Sequence, residues 1–309
     1  MAREVALGER PDQITREKVR ELQRKNRRES FGRSWYKFSR NPLSVVGGTT
    51  ILILVLLAVF APWVTPYPEH AGPFVDFANA SNPPSTRNLF GTDEIGRDIL
   101  SRAIFGLRFS LLMGVVVLAL VVPTGVLLGL LAGYFQGSWL DTLIMRITDI
   151  FLAVPPLILA LAIAAVLEPN LFNAMVAVSL MWWPWYARLS YGLASSLRNE
   201  FYVSSAETLG ASKAHILFRE ILPNMTSPIF TKMSLDMGWV IILGATLSFV
   251  GLGVQAPKPG LGTMMASGAK FLPEQWWIAM FPALVIVVVV LSFNLFGDGL
   301  RDLLSAEGV

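Results

Sequence analysis

The chain of 309 residues contains no cysteine. Disulfides, reactive thiolates and cysteine-ligated metal centres are excluded, and the redox compartment leaves no trace in the sequence. Histidine is nearly absent too: His70 and His215 are the only two, both in segments without an apolar run. No HExxH pattern and no GxxxxGK[ST] phosphate loop occurs, so neither a zinc hydrolase nor the usual nucleotide cradle is present. Charge is scarce. Charged residues make up 15% of the chain, against about 25% in an ordinary soluble protein.

What is abundant is apolar sequence. Hydrophobic residues reach 53% and the mean hydropathy is +0.54. A soluble core of that size would leave too little polar surface to cover it. Lipid is the natural solvent. Six runs are long enough, near 20 residues each, to cross a hydrocarbon core of about 30 Å as helices: 43–63, 109–134, 140–167, 171–189, 229–250 and 276–296. Only helices satisfy their backbone over runs of this length in lipid, because barrel strands are about half as long. The expected fold is an all-α integral membrane protein of six transmembrane helices.

The basic pI of 9.3 does not mark a nucleic-acid partner. Residues 1–40 hold 12 Lys or Arg against 6 Asp or Glu, so the positive charge is a tail beside the first span rather than a groove on a folded face. That tail reads as a basic helix over 15–39 ending in Trp35, Tyr36 and Phe38, suited to the lipid headgroup layer. It lacks an apolar h-region, so the first span is expected to stay as an anchor. With the N-terminus inside, 19 of the 25 basic residues fall on the inner side and 6 on the outer. Both termini are therefore expected in the cytoplasm of a cell whose inner membrane holds the chain. The expected organisation is a cytoplasmic tail at 1–40, a transmembrane domain at 41–302 and a short cytoplasmic tail at 303–309. The domain carries a proline-rich extracytoplasmic loop at 64–88 and a cytoplasmic segment at 190–224.

Few residues in the spans carry chemistry. Asp141, Asp149 and Asp236 are the carboxylates near them; Arg146 beside Asp149 and Lys232 beside Asp236 read as charge pairs at the inner interface. An ion-coupled carrier needs ionisable groups nearer mid-membrane. Gly125, Gly129 and Gly133 recur every four residues and line one face of the second span, a device for close helix packing. Pro123 and Pro184 predict static bends. Trp182, Trp183, Trp185 and Tyr186 read as an interfacial aromatic belt. No catalytic constellation, metal site or substrate-binding residue can be named.

The polar segment 190–224 is longer than a connection requires and continues as helical sequence. Within it Ser204, Ser205, Ala206, Glu207, Thr208, Leu209, Gly210, Ala211 and Ser212 form a short helix followed by glycine and small residues. That is a knob which another protein's groove could accept, with Gly210 permitting a bend and close approach. Leu222-Pro223 closes the segment.

At these residues the chain resembles the permease subunits of ATP-binding-cassette importers of the dipeptide, oligopeptide and nickel class. Ser204 to Gly210, followed by Ile221-Leu222-Pro223, is similar to the family's cytoplasmic signature of Glu-Ala-Ala, three residues, Gly and then Ile-Leu-Pro. Ser204 and Ser205 replace its Glu and Ala, so the contact made by that Glu does not carry over. Phe90-Gly91-Thr92-Asp93-Glu94-Ile95-Gly96-Arg97-Asp98, Asp141 through Asp149, and Leu247-Ser248-Phe249-Val250-Gly251-Leu252-Gly253 also match family motifs. The resemblance implies a type I importer permease fold and the second permease of a pair. Residues 204–212 would be a coupling helix docked on one or two separate ATPase subunits, which bind the ATP and Mg; this chain binds no cofactor. The other partners would be a homologous permease and an extracytoplasmic solute-binding protein contacting 64–88 and 254–272. Without the resemblance, an ion-coupled carrier or channel remains the alternative, and a membrane-bound enzyme comes after it.

Overall fold

The computed structural model describes residues 39–305. The expected basic helix at 15–39 and the end of the C-terminal tail lie almost wholly outside the described residues. Among the described residues there is no strand, only an isolated bridge between Thr92 and Asp98.

Helix α1, Pro42–Val59, starts where Asn41 accepts the Leu43 N–H at 3.1 Å and Pro42 occupies the first turn, a position where its missing N–H costs nothing. Helix α2, Ile99–Tyr134, has 36 residues and is capped by Asp98. At 1.5 Å per residue it is about 54 Å long and must project beyond a bilayer. Pro123 lies inside it without ending it.

The third expected span is not one helix. It is divided into α3, Trp139–Leu152, and α4, Pro156–Val166, with a bend of 90° between them. Pro155 and Pro156 are the cause. Each removes a backbone donor, and the residue ahead of a proline is pushed out of the helical region. The apolar run 140–167 hides this, since hydropathy does not register the break.

Helix α5, Leu171–Leu197, is followed by α6, Phe201–Thr208, then α7, Leu222–Phe249, α8, Leu261–Ala269, and α9, Trp277–Ser305. Four stretches are long and apolar enough to cross a membrane: α1, α2, the continuous helix ending in α7, and Trp277–Arg301 of α9. The bent pair α3–α4 supplies a fifth. Helix α5 has the length, at 27 residues, but carries Trp185, Arg188 and several serines in its second half.

Glycines set how the helices lie together. A Cβ on Gly125, Gly129 or Gly133 would fall 2.6 Å from Trp183 O, 2.2 Å from Ala187 O and 2.6 Å from Tyr191 O. The contacts advance in the same order on both helices, so α2 and α5 run parallel and the chain returns between them through α3 and α4. Gly238 faces Val290 while Gly297 faces Leu235, which makes α7 and α9 antiparallel. Gly47 of α1 is covered by Ser292 to Phe296 of α9. The start of α1, the ends of α2, α5 and α9, and the start of α7 consequently share one end of the bundle. Residues 64–98 and 250–277 share the other.

Candidate functional site: the segment between α5 and α7

Helix α6 ends in two backbone bonds, Ala211 N–H to Ala206 O at 3.0 Å and Gly210 N–H to Glu207 O at 2.9 Å. This pair of bonds requires a left-handed residue after the helix, and Gly210 supplies it at φ +80°. Ser212 then accepts the His215 N–H at 3.3 Å to start the next turn, Lys213–His215. A widened π-type turn over Ile216–Ile221 leads into α7, with Leu222 and Pro223 at its start.

The segment has two unlike sides. Val203, Ile216, Leu217 and Ile221 are buried in the bundle, and Ala206, Ala211 and Leu222 pack against that core. On the outer side Phe201 is 91% and Leu209 87% exposed. Leaving two such side chains in water forgoes about 1.5–3 kcal/mol each, and together they give the segment an apolar outer surface. A Cβ on Gly210 would meet nothing within 4 Å. The bend expected of this glycine is present; a close approach within this chain is not.

Ser204 and Ser205 lie on the exposed side but turn inward to their own backbone, Ser205 Oγ donating to Phe201 O at 2.8 Å. Glu207 reaches across to the end of α2, where it accepts the Tyr134 hydroxyl at 3.3 Å. Arg198 stands over the Tyr134 ring at 5.6 Å and Lys213 over the Phe135 ring at 5.3 Å. Asn224 donates to Tyr202 Oη at 3.4 Å and to Glu220 O at 2.7 Å; burial pushes the Tyr202 phenol up. The knob is tied by these contacts to the ends of α2 and α5, so displacing it displaces them.

The opposite end carries a folded cap. Residues 64–98 make two short 3-10 turns, Pro68–Ala71 and Phe77–Asn79. Asp93 accepts the Arg97 backbone N–H at 2.9 Å and Arg97 Nε at 2.7 Å, with Arg102 Nε 3.5 Å away. Gly96 has φ +87°, and a Cβ there would lie 1.9 Å from Asp76 O. His70 stacks on Phe74 with ring centres 4.0 Å apart, accepts the Asp98 N–H at Nδ1 (2.8 Å), and its carbonyl accepts from Arg102 at 2.9 Å. Burial lowers the His70 pKa, against the pull of Glu69, Asp98 and Asp93. The motif at Phe90–Asp98 is therefore a structural clasp. The i,i+4 spacing of Asp93 and Arg97 within that motif is the sequence signal of the clasp.

Between the two ends the expected charge pairs are rearranged. Asp149 pairs with Arg188 of α5, not with Arg146, because α5 packs beside α3. Lys232 does pair with Asp236, at 3.0 Å. Asp236 is buried and also accepts Trp182 Nε1 at 2.9 Å. The expected aromatic belt is likewise corrected. Trp182 and Tyr186 are buried core, Trp183 packs edge-on to Phe151, and Trp185 alone of the four is exposed.

Residues 125–307 match the family model for the binding-protein-dependent transport system inner membrane component, and residues 30–84 match the N-terminal TM domain of oligopeptide transport permease C. The chain belongs to this family of transport permeases. The permease is 42% identical over 267 residues to the probable D,D-dipeptide transport system permease protein DdpC of Escherichia coli K12, covering 86% of this chain and 88% of that one. It is 42% identical over 279 residues to the di/tripeptide permease DppC of Pseudomonas aeruginosa, at 88% and 91% coverage. With the glutathione permease GsiD of Pectobacterium atrosepticum it shares 39% over 273 residues, at 88% and 90% coverage. The inward-facing methionine ABC transporter MetNI superposes with a TM-score of 0.55 at 17% identity, over 67% of this chain and 97% of that chain. The fold of the permease is thus that of an importer transmembrane subunit, and it belongs to a transport family rather than to the enzymes.

Proposed function

We propose that the permease forms one half of the translocation unit of an ATP-driven importer of peptides or similar small solutes. It pairs with a homologous second permease and is itself the second of the two peptide-type permeases. The chain crosses the inner membrane six times, with α3–α4 as one bent crossing and α5 as another, and both termini in the cytoplasm. The parallel run of α2 and α5 supports six crossings, since only one return passage fits between them. The excess of basic residues on one side supports the orientation.

The segment 204–212 acts as the coupling helix. It seats Phe201 and Leu209 in the groove of an ATPase subunit, where ATP and Mg are bound. ATP-driven closure of two such subunits moves the knob, and through Tyr134 and the end of α5 rocks the bundle between two states of access. A solute-binding protein delivers its cargo to the cap formed by 64–98 and 254–272. The observation that carries the reading is the two-sided segment itself: anchored inside by Val203 and Ile221, open outside at Phe201, Leu209 and Gly210.

The test is reconstitution of the permease with the subunits encoded beside it, measuring ATP hydrolysis and solute uptake together. Gly210→Asp is expected to leave the complex assembled and to abolish uptake while hydrolysis continues. Normal uptake by that variant would remove the coupling role.

A further inference from the structure

Helices α1, α2 and α9 expose aliphatic faces, such as Leu52 and Leu56, Leu112 and Leu120, or Leu284 and Leu291, which suit lipid. The second half of α5 does not. Its exposed positions are Trp185, Arg188, Gly192 and Ser196, recurring at helical spacing along one face. Arg188 pairs with Asp149, and both side chains are about half exposed, at 44% and 48%. On the flank stands Lys232 of α7, its Nζ 6.0 Å from the Trp185 ring centre and 5.2 Å from that of Tyr186. Asp236 lies beneath it. Three helices thus contribute to one continuous strip of ionised and aromatic groups.

Its placement matters. Asp149, Arg188 and Lys232 fall within the expected spans 140–167, 171–189 and 229–250, and charged side chains within a span face a bundle interior or a water-filled cavity rather than lipid. Among the described residues no element covers the exposed side of this strip. Resting on the permease reading above, we propose that the strip of Asp149, Trp185, Arg188, Gly192 and Lys232 lines the aqueous path and receives a dipolar solute. A solute bearing one ammonium and one carboxylate meets both signs within a single contact distance at Arg188 and Asp149. The face of Trp185 accepts its cationic or apolar part. A solute of one sign would always meet a repelling partner beside the attracting one.

The absence of native cysteine makes this directly testable. Single cysteines are introduced as Trp185→Cys and Gly192→Cys, with Leu120→Cys and Leu291→Cys as lipid-facing controls. Each is assembled with its partner subunits in membranes. They are treated with anionic sulfonatoethyl and cationic trimethylammonioethyl methanethiosulfonate, and modification of this chain is read by mass. The thiolate forms in water and not in hydrocarbon, so positions 185 and 192 are expected to react at least about tenfold faster than 120 and 291. After normalising to a free thiol, the two reagents are expected to agree within about threefold, since both signs are presented.

Reaction at control rates at both 185 and 192 would overturn the proposal, whether lipid or the second permease covers the strip. A preference above about tenfold for one sign would overturn its dipolar character. If the Trp185 variant fails to assemble, Gly192→Cys carries the test, because a Cβ there has open space. Fast labelling that ATP with vanadate leaves unchanged would support the strip while counting against the coupling role.

Discussion

The indole Nε1 of Trp182 donates to Oδ2 of Asp236 at 2.9 Å, joining α5 to α7 across 54 residues of sequence. The same carboxylate holds Lys232 at 3.0 Å. Asp236 thereby satisfies a buried indole donor and a partly buried lysine that would otherwise lie unpaired. A buried carboxylate so placed is a junction, and its partners depend on it more than it depends on either.

Removing one member of a buried ion pair leaves the other uncompensated, at a cost of about 3–5 kcal/mol. Asp236→Leu is expected to lower the melting temperature of the purified complex sharply. The double variant Lys232→Met with Asp236→Leu recovers the share due to the unpaired lysine and keeps the loss of the Trp182 partner, and Trp182→Phe alone costs about 1.5–3 kcal/mol for one charge-assisted bond. Thermal denaturation in micelles ranks the three. Asp236→Leu alone as stable as the double would contradict the pairing.

Gly129 has the tightest approach on the α2 face, 2.2 Å from a backbone oxygen that cannot swing away. Gly129→Val must separate α2 from α5, with an expected loss of about 1–3 kcal/mol or more. Gly192→Ala provides the contrast, since nothing lies within 4 Å of its Cβ. There the better helix propensity of alanine is expected to leave stability unchanged or raise it by up to about 1 kcal/mol. Equal melting temperatures for the two variants would sink the argument.

At Gly210 the constraint is conformation rather than space. A residue with a Cβ at φ +80° costs about 1–2 kcal/mol locally, and asparagine tolerates that region better than alanine. Uptake is expected to fall in the order wild type, Gly210→Asn, Gly210→Ala, while ATP hydrolysis by the assembled complex persists in all three. Alanine outperforming asparagine would show that the left-handed cap does not govern the surface presented.

The cap is expected to be sensitive to acid. Burial lowers the folded pKa of His70 below the ordinary 6.5, so the folded cap favours the neutral ring, whose Nδ1 must stay unprotonated to accept from Asp98. The unfolded segment binds a proton more readily. Stability contributed here is fully present above pH 6.5 and is lost as pH falls through it toward the folded value. Hydrogen exchange across residues 65–98 should accelerate over that window. His70→Asn, which keeps an acceptor without a titrating ring, should flatten the dependence; an unchanged pH profile in that variant would assign the sensitivity elsewhere.

Much of this was open to reading from the sequence. Long apolar runs separated by polar segments announce membrane helices, because lipid leaves the backbone no other partner. The glycines of α2 fall at helical spacing, and Asn41-Pro42 marks a helix start by local chemistry alone. The knob could also be read, since Gly210 and Leu222-Pro223 act through backbone rules that need no distant neighbour.

What the sequence alone determined is therefore everything with a short range: solvent, helix starts, the left-handed cap, the small-residue face. The break of the run at 140–167 was also written locally, in Pro155-Pro156, and was hidden only by the apolar composition around them. The tertiary structure decided the rest. It gave Asp149 to Arg188 and buried Trp182 and Tyr186 instead of leaving them at an interface. The reason is physical: the partner of a charge or an indole in a low-dielectric bundle is whichever group the packing of α2 on α5 brings near, and that neighbour lies tens of residues away in the chain.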